Sequence, residues 1–366
     1  MYVYLDHASL VPPVTEALDA MRSAAESFWG QPGSLHGIGA RARYALDQAR
    51  QEVAEYVGTL AHEIVFAANG RDALRRALEL ALERAPANAS IVSSRLEHPS
   101  VQVLVEQATR SGRAVHWLKL PAGVPSEEDL MTLRAADLVA LSICNHEMGT
   151  VLDLASVAPH AVRVIDAVQA APWVSLEGLN DARTFYALSG SKLGAPMSVG
   201  VLRVPSDVHY AALADGLQLE GDSPPWMTAV GLGAACAKRA PLREQALETA
   251  RQLANRLLQG LRAIEPTLLL NGDEGARLGP IVNVSFPGRF GKSLVSALSL
   301  EKICISHTAA CQARHSEMSP VVRAAYPDTL ARAEGATRWS VSERVTEDEI
   351  DHALETTRKI LARMRN

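Results

Sequence analysis

"EIVFAANGRDALRRALELALERA", residues 63–85, decides how this chain folds. Its first part, "EIVFAANG" (63–70), is an apolar run that closes on Asn-Gly, the pattern of a strand entering a loop. The rest, "RDALRRALELALERA", repeats apolar residues at helical spacing. A strand that passes straight into a helix is half of a βαβ unit, and the same alternation recurs on both sides. Upstream, "LHGIGARARYALDQARQEVAEYVG" (35–58) reads as one amphipathic helix with apolar positions at Tyr44, Ala45, Val53 and Val57. Downstream, "ASIVSSRLEH" reads as a strand and "SVQVLVEQATRSG" as a helix, while "ADLVALSICNHEMG" and "VRVIDAVQA" run from apolar strand to polar end. Val199 to Val204 forms a further short strand. Strands separated by helices imply right-handed crossovers and a mostly parallel sheet, so the fold class is α/β.

From about residue 242 the pattern changes. A long helix, "REQALETARQLANRLLQGLRAI", opens what reads as a second domain, with strands such as "PIVNVSF" and a closing helix, "TEDEIDHALETTRKILARM". At 366 residues the chain is long enough for a second domain. Hydrophobic residues make up 48% and charged residues 21%, a globular rather than a disordered composition. The net charge of -5 offers no basic face for nucleic acid or an anionic membrane. The start, "MYVYLDHASL", lacks the charged n-region of a signal peptide, and no window has the roughly 20 apolar residues of a membrane span. A cytoplasmic protein is therefore expected.

Cys144, Cys236, Cys304 and Cys311 are widely spaced and form no CxxC pair, which argues against a zinc site or a disulfide framework. No metal site is expected. Buried thiols are the ordinary reading. Cys311 differs, because its surroundings, "SHTAACQARHSEMSP", are small and polar; beside His307, Arg314 and His315 it is a candidate for a reactive thiolate.

In an open parallel sheet, ligands bind at the carboxyl ends of the strands. The polar residues there are Asn69, Gly70 and Arg71, then His98, then Asn145 and His146, then Asp166 and Gln169, and finally Ser189, Ser191 and Lys192. "ANGRDA" turns directly into a helix, whose free N–H groups and dipole favour a phosphate. Arg71 in that first turn makes sense if an anion is bound. Lys192 sits at a cramped turn among small residues, "ALSGSKLGAPMSVGVLRV" (187–204), and suits a covalent catalyst, a phosphate donor or a solvated loop residue. Asp166, at the end of an apolar strand, costs burial energy unless it faces a cation; the alternative is a capping or surface aspartate. A lysine for an imine, an aspartate for a pyridinium nitrogen, a phosphate cradle and a histidine to stack together match what pyridoxal phosphate requires of a protein.

These motifs resemble those of class V, fold-type I pyridoxal-phosphate enzymes, in particular the cysteine desulfurases of the NifS and IscS type. The resemblance runs nearly end to end and in order. It covers "YLDHAS", "GQPGSLHGIGARA", "EIVFAANGRDALRRAL", "EHPSV", "CNHEMGT", "IDAVQA", "SGSKLGAPMSVGVL", "ISHTAACQARHSEMSPVVRAA" and "TRWSVSERVTEDEID". It implies a fold-type I transferase with a mostly parallel seven-stranded sheet and a smaller α+β C-terminal domain. The corresponding division is 15–241 for the large cofactor-binding domain and 1–14 with 242–366 for the small one.

The resemblance also assigns roles. Lys192 forms the imine with the cofactor and then shuttles protons. Asp166 holds the pyridine nitrogen protonated, Gln169 bonds the ring hydroxyl, and His98 stacks on the ring and assists acid–base steps. Ser189 and Ser191 bind the phosphate, joined by Gly70 and Arg71 from the loop after the first strand, and His146 and Asn145 face cofactor and substrate. Arg338 grips the substrate carboxylate as a fork. Cys311 attacks the sulfur of L-cysteine and carries it as a persulfide to an acceptor protein or pathway enzyme. A homodimer is implied.

Several positions depart from the family pattern. His7 stands for asparagine, His146 for the second asparagine of Asn-Asn-Glu, Arg71-Asp72 for Thr-Glu, and Ser191 for histidine. "EGDS" (Glu220 to Ser223) stands where the family's Arg-x-Gly-Thr completes the phosphate site across a dimer interface. Besides a desulfurase, the sequence therefore leaves open another class V enzyme, an aminotransferase or a C–S lyase on a small amino acid, and a non-catalytic paralogue.

Overall fold

The structure is a computed structural model that describes residues 2–215, 219–221, 224–309 and 316–364. The first part of the chain runs β1 (Val3–Tyr4), α1 (Thr15–Ser27), α2 (Gly37–Val57), β2 (Ile64–Ala67), α3 (Gly70–Arg84), β3 (Ile91–Ser94), α4 (Pro99–Arg110), β4 (Val115–Leu118) and α5 (Glu127–Arg134). It continues with β5 (Leu138–Ser142), β6 (Val162–Asp166), β7 (Thr184–Ser189), β8 (Gly200–Arg203), α6 (Ser206–Ala214) and α7 (Trp226–Arg239). The last part holds α8 (Arg243–Ile264), β9 (Leu269–Leu270), β10 (Ile281–Ser285), α9 (Gly291–Leu300), β11 (Ile303–Cys304), α10 (Pro320–Ala325), α11 (Leu330–Glu334), β12 (Ala336–Ser340) and α12 (Glu347–Arg363).

The main sheet has seven strands in the order β2-β8-β7-β6-β5-β3-β4, parallel throughout except for β8, which runs antiparallel to both its neighbours. Both faces are covered, so the strands are apolar on both sides. Ile64, Phe66, Ile165, Tyr186, Leu188 and Val201 pack toward α1, α2 and α7. The alternate residues Val65, Val164, Phe185 and Leu202 pack with Leu74, Leu78 and Val101 of α3 and α4. The period of two that sorts these residues is the strand's own geometry.

Helix boundaries follow their caps. His36 accepts from the Gly39 N–H at the start of α2, and Gly58, at φ 74°, ends it in the left-handed conformation that suits glycine. Thr346 and Glu349 form a capping box on α12.

A second core forms where α8 and α12 pack on a three-stranded antiparallel sheet, β12-β10-β9. The N-terminus joins this core: Val3 and Leu5 are buried in it, and β1 pairs in parallel with β11. Among the described residues no helix is long and apolar enough to cross a membrane, and no cluster of potential metal ligands occurs.

Candidate active site

A cavity of about 430 Å³ opens beyond the carboxyl ends of β2, β5, β6 and β7. Asn69, Gly70, Arg71, His98, His146, Asp166, Gln169, Ser189, Lys192 and Arg338 line it together with Ala8 and Ser9. Ten of the residues singled out from sequence thus share one wall, although up to 269 positions separate them (69 to 338).

Asp166 is the last residue of β6, in register with Ser142 of β5 and Ala187 of β7. Its Oδ1 accepts the Val168 N–H at 3.0 Å. Burial raises its carboxyl to about 6, against the pull of that N–H and of the Lys192 charge. Gln169 is buried and its amide donates to the Ala8 carbonyl at 2.8 Å. Lys192 ends the short turn after β7, and its ammonium donates to the Ser9 carbonyl.

His98 caps α4, with Nδ1 accepting the Ser100 N–H at 3.2 Å and Pro99 supplying the first helical residue. Burial, then the charges of Lys192, Arg71 and Arg338, lower its pKa to about 4, so the imidazole is neutral at neutral pH. The His146 ring lies edge-on to it, with centroids 5.0 Å apart. His146 is buried, neither ring nitrogen has a hydrogen-bond partner among the described residues, and burial drives its pKa well down.

The opposite end of the cavity is a polar cradle. Arg71 Nε donates to the Ser100 hydroxyl at 3.2 Å, and the Ser189 and Ser191 hydroxyls lie 3.0 Å apart. Ser191 reaches the site through Ser189 rather than lining the cavity. Asn69 caps α3 by accepting the Asp72 N–H at 3.0 Å. Gly200 permits this turn to sit against β8, because a Cβ there would fall 2.3 Å from the Asn69 carbonyl carbon and oxygen.

Arg338, on β12, is buried and holds three acceptors: the His146 carbonyl at 2.9 Å, Asp6 Oδ1 at 2.9 Å and the Ser9 hydroxyl at 2.6 Å. Its Nε–H is buried with no acceptor among the described residues.

One expected position lies elsewhere. Asn145 is not part of the cavity wall: its amide donates to the Leu96 carbonyl at 2.8 Å and its Oδ1 accepts the Glu147 and Met148 N–H groups at 3.0 and 2.9 Å. The amide oxygen and one amide N–H of Asn145 are thus spent on holding this turn. Cys311, with Arg314 and His315, lies outside the described residues, as do Asp222 and Ser223. The unfavourable charge of Glu220 is absorbed within the chain, since Arg50 grips its carboxylate at 2.5 and 2.9 Å and the Phe66 N–H donates to it at 2.8 Å. Cys144 and Cys236 are buried, as read from sequence, whereas Cys304 is only partly so; burial pushes the Cys144 thiol up to about 12.

Sequence reading missed Asp6, Ser9 and Ser100, which hold Arg338, Lys192 and Arg71. The signal available for the first two was "YLDHAS" itself, read as a motif without a role. It also missed Glu97, whose buried carboxyl is raised to about 8 by burial and then by Asp166, against hydrogen bonds from Ser142.

Residues 3–352 match the family described as aminotransferase class-V. The chain is 30% identical to Cysteine desulfurase 2 of Trichormus variabilis over 99% of its own length and 94% of the relative's. It is also 30% identical to Cysteine desulfurase NifS of Azotobacter vinelandii, over 100% and 94%. A solved structure described as a NifS-like protein superposes with a TM-score of 0.85 at 23% identity, covering 99% of this chain and 100% of that one.

Proposed function

Because this chain belongs to the aminotransferase class-V family, with cysteine desulfurases as full-length relatives, we propose that it is a pyridoxal-phosphate cysteine desulfurase. It converts L-cysteine to L-alanine and passes the sulfur, as a persulfide on Cys311, to an acceptor. The observation that carries this reading is the convergence of Lys192, Asp166, Gln169, His98 and Arg338 on one cavity.

The residues fit the cofactor. A buried carboxylate whose pKa is raised, as Asp166's is, gains from a cationic partner such as a pyridinium nitrogen. The N-terminus of α3, Arg71, Ser189 and Ser191 together suit a phosphate, and the close approach at Gly200 keeps that turn in place. When bound, pyridoxal phosphate supplies an imine-forming aldehyde and an electron sink for the substrate's α-carbon.

The chain's own groups do the rest. Lys192, steered by the Ser9 carbonyl, presents its amine to the aldehyde and afterwards moves protons. Gln169, which lines the cavity, would bond the ring hydroxyl. His98, neutral at working pH, accepts a proton without first losing one. Arg338 offers its unpaired Nε–H to the substrate carboxylate. The Cys311 thiolate takes the substrate sulfur and leaves alanine. The shared core of residues 3–5 with α8 and α12 supports a small domain made of 1–14 and 242–366, beside a large one of 15–241. A cytoplasmic homodimer belongs to the same reading.

The test is incubation with L-cysteine, pyridoxal phosphate and a reductant, with alanine and sulfide measured together. Cys311→Ala is expected to bind the cofactor and respond to cysteine by absorbance, yet release alanine about 100-fold more slowly or worse. Turnover of that variant at the wild-type rate overturns the desulfurase reading. Lys192→Ala is expected to lose the covalent adduct that borohydride otherwise fixes on Lys192.

A further inference from the structure

Glu147 is completely buried. A carboxylate in such a place is costly unless hydrogen bonds or a cation satisfy it. Its Oε1 accepts the Thr308 hydroxyl at 2.6 Å and the Ala309 N–H at 3.2 Å, and its Oε2 accepts the Ser319 hydroxyl at 2.5 Å. Thr308 and Ala309 precede Cys311 in the sequence and Ser319 follows it. One carboxylate therefore ties together both flanks of the segment that bears the thiol. The neighbouring His146 Nε2 is 3.8 Å away, and burial keeps that imidazole neutral, so the hydroxyls and N–H of the two flanks satisfy the Glu147 carboxyl oxygens.

The anchor is itself fixed to the site. Asn145 Oδ1 receives the Glu147 N–H, and the Asn283 amide donates to the Glu147 carbonyl at 3.1 Å. The adjacent His146 carbonyl receives Arg338, and Ala309 forms part of the cavity wall.

We propose that Glu147 is a positioning residue for sulfur transfer, holding the entry and exit of the Cys311 segment on the turn that also fixes Arg338. This rests on Cys311 as the sulfur-accepting nucleophile. Thr308 and Ser319 are the other half of the device, and Ser319 also caps α10 by accepting the Val322 N–H at 3.0 Å.

The test compares holoenzyme forms of the wild type, Glu147→Gln, Thr308→Val and Cys311→Ala by two reactions. Exchange of the α-hydrogen of L-alanine in deuterated water needs Lys192 and the cofactor but no thiol. Alanine formation from L-cysteine needs the thiol as well. Glu147→Gln is expected to slow alanine formation about 10-fold or more while α-hydrogen exchange stays within about two-fold. Thr308→Val is expected to give a smaller loss in the same sense. The double variant should be little worse than Glu147→Gln, since the two share one hydrogen bond. Amide hydrogen exchange in the cofactor-free protein should quicken at Ala309 in Glu147→Gln.

Wild-type sulfur transfer in Glu147→Gln, with Cys311→Ala inactive, overturns the positioning role and leaves the nucleophile standing. An equal fall in both reactions overturns it in favour of general support of the fold. Full turnover in Cys311→Ala removes the nucleophile, and the positioning role with it. Should Glu147→Gln fail to fold, Thr308→Val decides, and the absence of the split between the two reactions overturns the proposal.

Discussion

Replacing Arg338 by lysine tests the substrate end of the site without removing its charge. The guanidinium holds the His146 carbonyl, Asp6 and Ser9 at 2.9, 2.9 and 2.6 Å and keeps a buried Nε–H over. A lysine has one nitrogen in place of three, so it retains the Asp6 ion pair at most alongside one further partner, and the donor left for a substrate carboxylate is lost. A hydrogen bond to a charged group contributes about 1.5–3 kcal/mol. At about 1.4 kcal/mol per factor of ten, losing one such bond weakens carboxylate recognition about 10- to 100-fold. The assay is an absorbance titration of the holoenzyme with L-cysteine and with cysteamine, which lacks the carboxylate. Arg338→Lys should weaken the response to L-cysteine by that factor and leave cysteamine within about three-fold. If both ligands weaken equally, or neither does, Arg338 does not read the carboxylate. Thermal denaturation of the same variant separates this from loss of the N-terminal tether.

Three further outcomes are expected. Glu97, raised to about 8 when folded from an ordinary 4.5, stays protonated while the unfolded chain ionises, so its stabilising contribution is full below pH 4.5 and is lost as pH rises through 8. Asp166 in the folded cofactor-free protein, raised to about 6, is half ionised there and nearly fully ionised by about pH 7; the remaining decline between about pH 7 and 8, up to about 1.4 kcal/mol per pH unit, should flatten in Glu97→Gln in urea midpoints, and an unchanged slope refutes it. Gly200→Ala would place a Cβ 2.3 Å from Asn69 backbone atoms and push the α3 turn outward, so the cofactor-free protein should take up pyridoxal phosphate about 10-fold more weakly; equal affinity by absorbance titration contradicts the cradle. In sedimentation the holoenzyme should run as a homodimer, and a monomer with full cofactor occupancy argues against the interface reading.

Local rules carried much of this molecule. The helical period between Arg243 and Ile264 is read to the residue, because an amphipathic face repeats every 3.6 positions whatever it packs against. The strand ending at Asp166 was legible for a similar reason: four apolar-rich residues followed by an acid mark where burial stops. Lys192 and Asp166 were recognisable because a charged group set among small or apolar residues must find a partner.

Other features have no local signature. Nothing in "VGVLRV" tells that β8 runs against β2 and β7, since strand direction depends on how the chain returns to the sheet. Asn145 looked like a substrate residue and instead holds a turn, because an amide's partners are chosen by what lies within hydrogen-bond reach. Residues 6–9 meet Arg338 and Ser340 across more than 300 positions, as in the 2.9 Å bond from the Ala8 N–H to the Ser340 hydroxyl. The sequence by itself determined the elements, the α/β class and the chemical types gathered at the strand ends, since periodicity and side-chain chemistry are properties of neighbouring residues. Only the tertiary structure decided that Ser9 steers Lys192, that Arg50 neutralises Glu220 and that Glu147 joins Thr308 to Ser319, because each requires chain closure that no short-range pattern encodes.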